Sequence, residues 1–109
     1  MNNEELIKNQ IKRFCFEKLK NNQEPLERFE RLANSNTTMI ENAVKPKLIS
    51  GAIIFSYLRE NKLNGRGGIT TKQLADYFEV KPQAITSKVF EVDCVVNRSY
   101  IFPEDKEEF

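Results

Sequence analysis

The stretch ITTKQLADYFEVKPQAITSKVFEV, residues 69–92, constrains this chain more than any other. Thr70, followed three residues later by Gln73, forms a capping box, so a helix is expected to start at Thr71. Ile69 before the cap and Leu74 at the fourth helical position add a hydrophobic staple. This helix runs to Phe78 and turns Leu74, Ala75 and Phe78 inward. Glu79, Val80 and Lys81 then supply a turn, with Val80 pointing into the gap between two helices. Pro82 suits the first position of a second helix, where its missing N–H does no harm. That helix buries Ile85, Val89 and Val92, at spacings of four and three. Leu74, Ala75, Phe78, Val80, Ile85 and Val89 together carry the apolar pattern of a helix-turn-helix. Glycine commonly opens such a turn. Here Glu79 stands in that place, which implies a turn geometry that does not need glycine.

The rest of the chain reads as more helix. Leu6, Ile7, Ile11, Phe14, Cys15 and Leu19 recur every three or four residues, an amphipathic helix over residues 3–20. A second helix is expected over 25–33, with Pro25 in its first turn and Leu26, Phe29 and Leu32 on one stripe. Thr38 and Glu41 match a further capping box and open a short helix that must end before Pro46. A long helix follows over 46–61. Its apolar residues Leu48, Ile49, Ala52, Ile53, Phe55 and Tyr57 cover a broad arc, so it is expected at the centre of the fold. Gly51 and Ala52 would let a neighbour come close. The segment NKLNGRGG (61–68) is a glycine-rich loop, read either as a connector or as a phosphate-cradling nest with Arg66 adding charge. Residues 93–102 can form a small hairpin around Asn97 and Arg98 or an extended arm. Five helices leave little sheet to extend, which favours the arm. The expected architecture is one all-α domain over residues 1–102, with the helix-turn-helix at 69–92 and an acidic flexible tail at 103–109.

Composition removes several classes of function. The chain has 109 residues and no histidine, so neither Ser-His-Asp nor Cys-His catalysis is possible. Two distant cysteines, Cys15 and Cys94, cannot anchor a zinc site. Both sit among apolar neighbours and read as buried thiols, with a disulfide as the alternative that a reducing compartment disfavours. No phosphate-binding glycine motif occurs, and the carboxylates are scattered. The expectation is therefore no enzyme, no metal and no cofactor. No apolar run is long enough to span a bilayer, and the first residues resemble neither a secretory signal nor a transit peptide. A cytoplasmic protein without a membrane partner is expected.

The formal net charge is +1, unevenly spread. Glu104, Asp105, Glu107 and Glu108 outweigh Lys106 in the tail, while Lys45, Lys47, Arg59, Lys62 and Arg66 outweigh Glu60 in the middle. Residues 69–92 are almost neutral. In a DNA reader the second helix enters the major groove N-terminal end first. Lys81, Gln83, Thr86 and Ser87 would then face the duplex. Gln pairs with adenine and Ser or Thr reach bases or phosphates. Lys72, Lys81, Lys88 and Arg66 would meet phosphate. The same fold can instead serve as a protein-interaction module, for which the neutral second helix, an exposed Phe90 and the acid at Glu79 speak. A homodimer through the first helix is a further option.

Residues 47–92 resemble the second half of a cyclin-type repeat, the five-helix unit of transcription factor IIB and archaeal transcription factor B. The likeness lies in PKLISGAIIFSYLRENKL followed by ITTKQLADYFEVKPQAITSKVFEV, with Thr70, Leu74, Ala75, Val80 and Ile85 at the repeat's positions. The whole chain is also similar to small uncharacterised bacterial helix-turn-helix domains, through RFCFEKL, AIIFSYLRENKL and the late FPED. The resemblance implies a five- to six-helix cyclin-like bundle ending in a helix-turn-helix. It also implies binding to promoter DNA or polymerase through Lys81, Gln83, Thr86, Ser87 and Lys88, and hence a transcriptional regulator acting on double-stranded DNA.

Overall fold

Ten consecutive residues, Ile49 to Leu58, are buried on one helix, and the rest of the molecule is arranged to cover them. The structure is a computed structural model that describes residues 2–19, 23–63 and 68–101. Among these residues it is all-helical: α1 Asn3–Lys18, α2 Gln23–Ser35, α3 Thr37–Glu41, α4 Pro46–Glu60, α5 Thr71–Phe78 and α6 Pro82–Ile101. The buried helix is α4. It is apolar all round, so it cannot lie at a surface. It touches α1, α2, α5 and α6. Arg66 and the acidic segment 103–109 lie outside the described residues, as do residues 64–67 of the 61–68 loop.

The ends of the elements follow local chemistry. Asn2 caps α1 through its side-chain oxygen, which accepts from the Glu5 N–H at 2.8 Å. The short α3 is capped by Asn36, whose side chain accepts from the Met39 N–H at 3.1 Å. The expected box of Thr38 and Glu41 is therefore not the cap. An asparagine two residues earlier offers the stronger cap, and Thr37 already lies in the helix. The amide of Asn3 donates to the carbonyls of Ile40, Glu41 and Ala43 at 3.0–3.2 Å, which ties the start of α1 to the end of α3. Ser50 on α4 donates to Gln10 on α1 at 2.6 Å.

The capping box of Thr70 and Gln73 is formed in both directions, and α5 spans the expected residues. Glu79 follows it with φ 59° and ψ 42°, the left-handed conformation that glycine usually supplies. The expectation of another turn geometry is thus corrected. The Val80 N–H reaches back to the Ala75 carbonyl at 3.0 Å and the Glu79 N–H to Asp76 at 3.3 Å, the paired bonds of a Schellman cap. Those bonds, with Val80 packed on the core, hold a residue that would otherwise avoid this region. Lys62, with φ 56°, ends α4 in the same way, through Leu63 to Leu58 and Lys62 to Arg59.

The largest departure is α6. Residues 93–101 form neither a hairpin nor an arm; they continue the helix, which runs unbroken for 20 residues. Two causes are visible. No glycine or proline occurs between Gln83 and Phe102 to stop it. Asp93 stands on the face already occupied by Ile85, Val89 and Val92, and α4 holds it there.

At Gly51 the packing of α4, α5 and α6 meets. A β-carbon there would lie 3.4 Å from Ile85 and 3.5 Å from Phe78, so side chains of both later helices rest on this one position.

Candidate functional site

Helix α6 shows two faces. Ile85, Val89 and Val92 are 0–2% exposed and fix it against the core. Gln83, Thr86 and Ser87 are exposed on the opposite side of its first two turns. Positions spaced by three and four share a face, so these three polar side chains form one short strip. Thr86 donates its hydroxyl to the Gln83 carbonyl at 3.0 Å, which occupies its one donor and leaves the oxygen able to accept.

The charged candidates are distributed around that strip. Lys81 immediately precedes α6 and is exposed; it makes no ion pair among the described residues. Lys72 stands on the outer face of α5. Lys88 turns to the flank of α6, where its amine lies 2.9 Å from Glu91. Arg66 falls outside the described residues. The structure thus brings Lys81, Gln83, Thr86 and Ser87 together, sets Lys72 and Lys88 beside them, and says nothing of Arg66.

The central basic segment splits into two groups. Lys45 and Lys47 sit at the start of α4, next to the turn that joins α5 to α6. Arg59 and Lys62 sit at its other end, about 20 Å away along the helix. Lys47 pairs with Glu79, and this pairing holds the Glu79 carboxyl below the usual carboxylate range. The acid at the turn is therefore matched by a cation from α4. Arg59 is committed elsewhere, to Asp93 on α6.

That last pair belongs to a buried polar cluster with no counterpart in the sequence reading. Arg28 on α2, 6% exposed, donates to the Ser56 hydroxyl at 3.0 Å. Ser56, fully buried on α4, donates to Asp93 on α6. Asp93 also pairs with Arg59, and Arg28 with Glu60. The Arg28 hydrogen bond is the main reason that the Glu60 carboxyl ionises more readily than usual, against a smaller opposing effect of burial. Arg28 and Asp93 are the buried charges of this cluster, and loss of a partner would leave either one uncompensated away from solvent. The signals were available: Ser50 and Ser56 interrupt the apolar run of α4, and Asp93 stands one turn after Val89.

A second polar contact lies across α1 and α5. The Tyr77 hydroxyl donates to Glu17, while its ring packs edge-on against Phe14 and Phe78 at 5.0 Å from each. Burial and the neighbouring carboxylate push the Tyr77 hydroxyl up to about 12. Cys15, next to Phe14 on α1, is buried and its thiol is pushed up to about 11 by loss of solvent. Cys94, in contrast to the expectation of two buried thiols, is exposed on α6, and both cysteines are free.

Among the described residues no group of histidine, cysteine, aspartate or glutamate side chains is placed to hold a metal ion. No described helix is long and apolar enough to cross a membrane. No protein family, no curated protein and no solved structure matches the chain.

Proposed function

We propose that this protein binds double-stranded DNA through a helix-turn-helix formed by α5, the Glu79–Lys81 turn and α6, and that it acts as a cytoplasmic regulator of transcription. One observation carries the reading: α6 is clamped by Ile85, Val89 and Val92, while Gln83, Thr86 and Ser87 at its N-terminal half stand open to solvent. A helix held in this way can enter a major groove without rearrangement. Gln83 would pair with adenine, Ser87 and Thr86 would meet base edges or phosphates, and Lys81, Lys72, Lys88 and Arg66 would neutralise phosphates. The pairing of Lys47 with Glu79 removes an obstacle, because the turn's acid no longer faces phosphate uncompensated. The six helices would be arranged as in a cyclin-type repeat, consistent with the sequence resemblance of residues 47–92.

A second reading, a protein-interaction module on the same fold, is favoured by Phe90. It is 70% exposed on the face that carries Gln83 and Ser87. Titration of mixed-sequence duplex DNA at low and moderate salt separates the two. The DNA reading requires binding that weakens with salt, with a log–log slope of about −3.6 if four phosphates are neutralised. It also requires that Lys81→Glu weaken binding. Absence of binding at low salt removes the DNA reading. If Phe90→Ser then abolishes recognition of a protein partner, the second reading takes its place.

A further inference from the structure

A groove of about 380 Å³ runs between the α3–α4 connection and the flank of α6. Its floor is apolar, made by Met39, Ala43, Leu48 and Ile49. Val44 stands on its lip and is 93% exposed. Lys45 and Lys88 line it from opposite elements. Lys45 makes no ion pair among the described residues, whereas Lys88 has Glu91 beside it. Helix α4 begins in this groove, and its first turn has no side-chain cap. The positive end of the helix dipole therefore adds to the charge of Lys45. The wall is pre-formed, because the Asn3 amide pins the carbonyls of Ile40, Glu41 and Ala43. A groove that needs no ordering loses less on binding.

We infer that this groove docks an acidic, apolar peptide segment of a partner protein, with apolar side chains on the Met39–Leu48 floor and carboxylates against Lys45 and Lys88. Charge complementarity selects the acids, and the floor selects the apolar residues. Val44 favours a chain lying along the groove over a small molecule sunk in it, since only the former covers the lip. Single-stranded nucleic acid fits poorly, because no aromatic ring lines the groove for a base to stack on. The groove shares Lys88 with the proposed DNA-binding set, but Lys45 and the apolar floor lie outside that set, so the inference does not rest on DNA binding.

The test is selection of a random displayed peptide library on the folded protein, followed by anisotropy titration of the enriched peptides. Enriched sequences that combine Asp or Glu with Leu, Phe or similar residues are expected. Val44→Asp and Lys45→Glu, both at exposed positions, should each weaken binding roughly tenfold or more while leaving the helical circular dichroism unchanged. No enrichment overturns the inference. So does an enriched set without acidic residues, or equal binding by peptides with lysine in place of the acids. Undiminished binding by both variants overturns it as well.

Discussion

Replacing Gly51 separates two descriptions of how α4, α5 and α6 meet. If the helices approach at Gly51 because only hydrogen fits, alanine there must destabilise the fold. The geometry says otherwise. The new methyl group would sit 3.4 Å from Ile85 and 3.5 Å from Phe78, ordinary contact distances that need no movement. Alanine in place of glycine inside a helix gains about 0.8–1 kcal/mol from backbone entropy. Burying the methyl adds up to roughly 0.8 kcal/mol. The expected result for Gly51→Ala is a stabilisation of about 1 kcal/mol, somewhat below the sum because the pocket is already filled. Gly51→Val should reverse the sign. Its two further methyl groups run into Ile85 and Phe78, and overpacking of this kind costs about 1–3 kcal/mol. Urea unfolding followed by helical circular dichroism measures both. A gain of 1 kcal/mol moves the midpoint up by roughly 0.5 M at unchanged slope. A destabilised alanine variant, or a stabilised valine variant, refutes the packing described for these three helices.

Three further outcomes are expected. Asp93→Ala should cost about 1–3 kcal/mol in the same unfolding assay, because it strips the buried Ser56 hydroxyl of its acceptor and Arg59 of its partner; an unchanged midpoint would show that the cluster is not formed. Cys94 should react at once with an aromatic disulfide reagent, while Cys15 reacts only on unfolding; two equally fast thiols would place Cys15 at the surface. The Glu60 carboxyl has its pKa lowered in the fold, so the stability it contributes is present above the unfolded value near 4.5 and is lost as pH falls through the lower folded value. Glu60→Gln should flatten the acid limb of a stability–pH curve, and an unaltered limb would exclude the Arg28–Glu60 pair as its source.

Some of this architecture could be read from residues and some could not. The box of Thr70 and Gln73 and the inward set Leu74, Ala75, Phe78, Ile85, Val89 and Val92 were legible because local capping and helical spacing both specify them. The start of α3 was misjudged because Asn36 and Thr38 each satisfy a capping rule, and the neighbouring chain chooses between them. The length of α6 was misjudged because Asn97 and Arg98 permit a turn, while the tie from Asp93 to Ser56 is a contact 37 residues apart. The left-handed Glu79 was unexpected for a related reason: its backbone is dictated by the hydrogen bonds around it and not by its own preference. In the candidate site, the exposure of Gln83, Thr86 and Ser87 on one side of α6 was legible from the helical pattern. Ion pairing that withdraws Lys47 and Arg59 from a shared basic surface depends on partners that no single segment reveals.

The unbroken span of α6 has a mechanical consequence. Twenty residues make a rod of about 30 Å. Near its beginning stand the open polar residues; midway along it, Asp93 is tethered through Ser56 and Arg59 to α4, and through Ser56 to Arg28 of α2. A stiff rod seated on the core at Ile85, Val89 and Val92 and pinned again at Asp93 moves as one body, so a shift of α2 against α4 would carry Gln83 and Ser87 with it.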